Sequence, residues 1–181
     1  VGFSGAGQEY IYTSILNNIH KENISLVMAG WSRACRRDYY YRGKGHWQND
    51  HWDEKGDNQY FIDRTLMFQY SFQEICKSLG LKYKQMQIIN SYESAKWVGT
   101  DEVWPIARGK VLSRKEHYLQ MQKNPLFNLI DDNFIGFPSK ELGGFCLQDF
   151  MKPEDYISDK DKHPNAKGQQ VIAEAIYERL G

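Results

Sequence analysis

The chain has 181 residues, enough for one domain with a full core, with 41% hydrophobic and 25% charged residues and a formal net charge of zero. That balance removes the electrostatic ground for a nucleic-acid partner or an acidic membrane surface. No apolar run approaches the roughly 20 residues of a membrane-spanning helix, so no membrane partner is expected either.

The sequence begins at Val1, directly on the glycine-rich run Gly2-Phe3-Ser4-Gly5-Ala6-Gly7. Such a turn normally follows a strand, so the chain reads as a fragment whose N-terminal part is missing. Ile11, Ile15 and Ile19 recur at helical spacing beside Tyr12 and Leu16, which predicts a helix from about Gln8 to His20. Ile24 to Ala29 is a short apolar run closed by Gly30, the pattern of a buried parallel strand. Asp38 to Asn58 carries Gly, Asp, Asn, His and Trp without a period and reads as a long surface excursion.

A second helix is expected from about Phe61 to Leu79, with Phe61, Phe68, Phe72, Ile75, Cys76 and Leu79 inward and Gly80 as its stop. Tyr83 to Asn90 is the next strand candidate, and Ser91 to Leu112 is irregular. Ser113 and Glu116 have capping-box spacing for a helix to about Lys123. Asn133 to Pro138 suits a short strand, and Glu141 to Lys162 is rich in loops. Asn165 then caps a final helix with Val171, Ile172, Ala175, Ile176 and Leu180 inward. The three cysteines, Cys35, Cys76 and Cys146, lack metal-type spacing and read as reduced, mostly buried thiols. Helices alternating with short apolar strands give an α/β three-layer architecture with a parallel sheet, in one domain.

The segment richest in chemistry is Asp161-Lys162-His163-Pro164-Asn165, with Gly168 three residues on. His163 falls in a loop at a helix N-terminus, where the backbone is held and the ring can turn outward. Asp161 can fold back onto the imidazole, fixing its tautomer and stabilising the imidazolium, as the acid of a triad does. Pro164 pre-sets the turn into the helix. The plainer alternative is a polar loop in which Asn165 is merely the cap.

The run from Asp161 through Ala173 resembles the last sequence block of the SGNH (GDSL-type) hydrolases, in which an Asp and a His share one loop before the C-terminal helix. The commonest family spacing puts the Asp three residues before the His. That position is Lys160 here, so Asp161 takes the role at shorter spacing, ahead of Asp159. Gly2 to Gln8 resembles the second block, whose glycine donates a backbone N–H to the oxyanion, and Gly5 fits that place. Leu26 to Ser32 resembles the third block, with Ser32 where the family has its oxyanion-binding Asn. The resemblance implies a flavodoxin-like α/β/α sandwich with its first strand absent. It also implies a serine ester hydrolase, with carbohydrate O-acetyl groups as the candidate ester, that needs no metal or organic cofactor.

The family's nucleophile lies in a Gly-Asp-Ser block ahead of the second block, and this sequence contains no Gly-Asp-Ser. The implied nucleophile is therefore upstream of Val1. Ser4, in Gly2-x-Ser4-x-Ala6, is a weaker substitute, because a nucleophile elbow needs a strand before it. The same glycines suggest a phosphate-binding loop, but Gln8 and Glu9 stand where a lysine and a hydroxyl are wanted.

His46, Asp50, His51, Asp53 and Glu54 could hold a metal, though no spacing aligns them, and a solvated loop is the preferred reading. Trp47 and Trp52, together with Trp31, are the candidate substrate-binding aromatics, which would make that loop a lid. The expected partner is a small ester or acylated carbohydrate, with self-association through an exposed sheet edge as a further expectation. The competing class is a non-catalytic module that binds glycan or protein through the aromatic loop.

Overall fold

A computed structural model describes residues 6–34, 36–41, 46–50, 58–89, 119–138 and 140–180. The elements are α1 (Gln8–Leu16), β1 (Val27–Trp31), β2 (Arg37–Tyr41), β3 (His46–Asp50), α2 (Asn58–Ser78) and β4 (Tyr83–Gln87). They continue with α3, described over residues 119–121, then β5 (Phe134–Ile135) and α4 (Ala166–Leu180). The fold is mixed α/β around a small parallel sheet of three strands in the order β1-β4-β5. Val27 pairs with Tyr83 and Trp31 with Gln87, while Gln85 pairs with Phe134.

Side chains alternate across this sheet, as strand geometry requires. Ala29, Trp31, Tyr83 and Phe134 share one cluster with Ile19, Phe72 and Cys76, against which Ile11, Tyr12 and Ile15 of α1 also pack. Met86 and Ile135 point the other way, into a cluster with Leu147 and Ala175 flanked by Ile172, Ile176 and Leu180 of α4. The expected inner stripes of α1 and α4 are thus largely present, although Val171 belongs to neither cluster. Cys76 and Cys146 are buried, as expected, and burial pushes the Cys76 thiol up to about 11; Cys35 lies outside the described residues.

Three expectations need correction. Asp38 to Asn58 is not wholly an aperiodic excursion: β2 and β3 form an antiparallel pair in which Tyr40 faces Trp47. The strand-forming Tyr and Trp residues were present, but polar neighbours hid the alternation. The first helix ends at Leu16, and turns carry the chain on through Ile19. Leu79 is exposed, because α2 stops one residue earlier and Gly80 adopts φ +64. The irregular stretch Ser91 to Leu112, and the capping-box pair Ser113 and Glu116, lie outside the described residues. Among the described residues, no helix is long and apolar enough to cross a membrane.

On its other edge β1 has no strand partner among the described residues, and Leu26 and Met28 are exposed there. A groove of about 1150 Å³ runs beside this edge, bounded by Ile11 and Ile15 on one side and Ile172 on the other.

Candidate functional site

The segment 156–164 doubles back on itself before α4. Tyr156 and Pro164 form an antiparallel bridge, and the Ile157 N–H donates to the His163 carbonyl at 2.9 Å. Asn165 closes the base of the loop, its side-chain amide donating to the carbonyls of Glu154 and Tyr156. Its Oδ1 accepts the Gly168 N–H at 3.0 Å, the expected cap of α4. Gly168 is required here for close approach, since an added Cβ would lie 2.2 Å from the Asp155 carbonyl oxygen. Asp155 fixes the turn on the other side by accepting the Lys152 N–H.

Asp161 and His163 sit at the tip of this braced loop. Asp161 Oδ1 accepts the His163 backbone N–H at 3.0 Å and lies 2.5 Å from Nδ1 of the ring. One oxygen therefore fixes both the backbone and the imidazole. With the proton held on Nδ1, Nε2 keeps its lone pair, and it has no hydrogen-bond partner among the described residues. The His163 backbone N–H first, and its ring second, hold the Asp161 carboxyl below the usual carboxylate range. The His163 side chain is 79% exposed and that of Asp161 46%. Both line the groove beside β1, as does Ser32. Asp161 does not cap the helix; Asn165 does.

Ser32 follows the C-terminal end of β1 and is buried. The Gln87 side-chain amide donates to the carbonyls of Trp31, Ser32 and Ile89, tying the ends of β1 and β4 together. Ser32 Oγ accepts from Arg36 Nη1 at 2.8 Å, which leaves its own hydrogen free to donate. Asp38 completes the surroundings. Its carboxylate accepts the Gly7 N–H at 2.9 Å and the Tyr10 N–H at 3.0 Å, capping α1 from β2 because Gly7 has no side chain of its own. A Cβ on Gly7 would lie 2.7 Å from Asp38 Oδ2. An anion is thus already seated at the start of α1, and Glu9 in its first turn pairs with Arg64 at 2.8 Å. Both carboxylates argue against a phosphate-binding loop at this helix.

The remaining expected site residues are placed unevenly. Trp31 is fully buried, its ring packed on Phe72 and its Nε1–H donated to Gln85 Oε1 at 2.9 Å. It is therefore a core residue and not a substrate-stacking wall. Trp47 stands edge-on to Tyr10 and Tyr40, with ring centroids 5.5 and 5.9 Å away, and Tyr10 lines the groove. Ser4, Gly5, His51, Trp52, Asp53 and Glu54 lie outside the described residues, as do the side chains of His46 and Asp50. No metal-binding group of His, Cys, Asp or Glu occurs among the described residues.

Sequence reasoning missed Arg36, Asp38 and Gln87. Gln87 had a usable signal, because two glutamines alternating in a short strand, Gln85 and Gln87, require buried partners if the strand is central. Comparison with protein-family models, with curated proteins and with solved structures finds no match.

Proposed function

We propose that this chain acts as a serine ester hydrolase of the SGNH type, with the flavodoxin-like three-layer sandwich of that family. The observation that carries the reading is the Asp161–His163 pair at 2.5 Å, lining one groove with Ser32. Ser32 follows the carboxyl end of a parallel strand, where open α/β sheets place their sites.

In this reading the serine attacks the acyl carbon while His163 Nε2 takes its proton. Asp161 holds the ring and stabilises the imidazolium. Ser32, polarised by Arg36, donates to the oxyanion together with the backbone N–H of Gly5. No metal or organic cofactor enters. The substrate is an ester such as an O-acylated carbohydrate.

The aromatic cluster of Tyr10, Tyr40 and Trp47 favours one other reading, a non-catalytic module that stacks glycan or protein against it. The two separate on covalent chemistry. The protein should react with a fluorophosphonate probe at one serine, mapped by mass spectrometry, and the labelling should be lost in His163→Ala. A polypeptide with no labelled serine would favour the binding module.

A further inference from the structure

Arg36 and Asp38 stand two positions apart where the chain enters β2, and both reach the start of α1. Asp38 is buried, and each of its carboxylate oxygens takes one backbone N–H, from Gly7 at 2.9 Å and from Tyr10 at 3.0 Å. Arg36 Nη1 donates to acceptors on two different segments. One is the Ala6 carbonyl at 3.4 Å, just ahead of α1, and the other is Ser32 Oγ at 2.8 Å, just past β1. The approach is close: a Cβ on Gly7 would lie 2.7 Å from Asp38 Oδ2 and 2.9 Å from the Arg36 carbonyl oxygen. Arg64 Nη2 in turn holds the carbonyls of Ala34 and Arg36, so the segment that carries both side chains is itself anchored.

Ser32 has one hydroxyl hydrogen, and that hydrogen rotates to suit its surroundings. With an Arg36 N–H on the oxygen's lone pair, the hydrogen is turned away from Arg36. No acceptor for it is present among the described residues.

We infer that Arg36 and Asp38 are positioning residues, which dock the start of α1 on the end of β1 and, through Arg36, aim the Ser32 hydroxyl hydrogen into the site. Asp38 sets the helix start by accepting two of its unpaired N–H groups. Arg36 joins that start to Ser32 and, being charged, polarises the hydroxyl it holds. Arg36 acts through Ser32 and does not itself touch the acyl group. The catalytic value of this clamp rests on the hydrolase reading. The clamp itself does not, so the two are measured separately.

The test makes structural and kinetic measurements on the same variants. Three-bond NMR couplings should show a single Ser32 χ1 rotamer in the parent and an averaged one in Arg36→Gln. Asp38→Asn, which keeps one acceptor, should speed amide hydrogen exchange at the start of α1 by at least about tenfold. With p-nitrophenyl acetate, Arg36→Gln should lower kcat about a hundredfold with KM within about twofold, the scale of a lost oxyanion donor. Arg36→Lys keeps the charge without the planar fork and should lose only about tenfold. In a Ser32→Ala background either change at Arg36 should cost less than about threefold more, because the residue it acts through is gone. An undiminished loss in that background would overturn the inference, as would a single Ser32 rotamer in folded Arg36→Gln. Should Arg36→Gln fail to fold, Arg36→Lys carries the same test: its loss of activity must vanish in the Ser32→Ala background. A parent with no esterase activity would overturn the hydrolase reading, and the rotamer and exchange measurements would then decide the clamp.

Discussion

Two acid–base pairs in this molecule contrast in what surrounds them. Glu9 and Arg64 meet at 2.8 Å with side chains 23% and 5% exposed, and Arg64 also donates to the carbonyls of Ala34 and Arg36. Asp161 and His163 meet at 2.5 Å on an exposed loop. In the first pair the two terminal nitrogens of Arg64 hold α1, α2 and the segment leading into β2 together. In the second, one ring nitrogen has no partner among the described residues. Burial makes a pair structural. Exposure with a spare nitrogen leaves a pair able to exchange protons. The backbone brace of residues 156–164 fixes the exposed pair without occupying it.

This contrast can be broken most severely at the buried pair. Arg64→Ala should lower the unfolding free energy by about 3 kcal/mol in urea titration, since it strands the Glu9 carboxylate and two carbonyls. Burial already pushes the Glu9 carboxyl up, with the Arg64 charge only partly offsetting it. A loss under about 1 kcal/mol would mean that the buried network is not structural in the sense argued.

Next in size is Gly168→Ala. The new Cβ would collide with the Asp155 carbonyl and force α4 away from the loop that carries His163. The expected cost is about 2 kcal/mol, from overpacking. A neutral effect would show that loop and helix are less tightly coupled than the geometry states.

How much of this was legible in the sequence follows the same division. Asp161, His163, Pro164 and Asn165 are adjacent in the chain, and so are the features that fix them, so their mutual geometry could be reasoned locally. Asp38 capping Gly7, Arg64 reaching Ala34, and Gln87 tying β1 to β4 join residues 31, 30 and 55 positions apart. No periodicity records such contacts. The β2–β3 pair was missed because its strands are not apolar on one face, and Trp31 was misassigned because a tryptophan beside a site looks the same in sequence whether its ring faces solvent or core.

A smaller effect sharpens the comparison through pH. Asp161 is exposed, yet its carboxyl is held below the usual range, first by the His163 backbone N–H and then by the ring. A depressed carboxyl contributes favourably above its unfolded value, and the contribution is lost as pH falls through the folded one. The Asp161–His163 contact should therefore persist at pH values where exposed carboxylates have begun to protonate. Carbon-detected NMR titration of the Asp161 carboxyl should place its midpoint below the usual carboxylate range. A midpoint within that range would mean that the contact does not form in solution.

The central claim is that His163 is a base and not a structural residue, and one measurement addresses it directly. Hydrolysis of p-nitrophenyl acetate by the protein should fall by at least about a thousandfold in kcat/KM in His163→Ala. Its unfolding free energy should stay within about 0.5 kcal/mol of the parent, because the side chain is exposed. A variant that keeps its activity and loses stability would contradict the account.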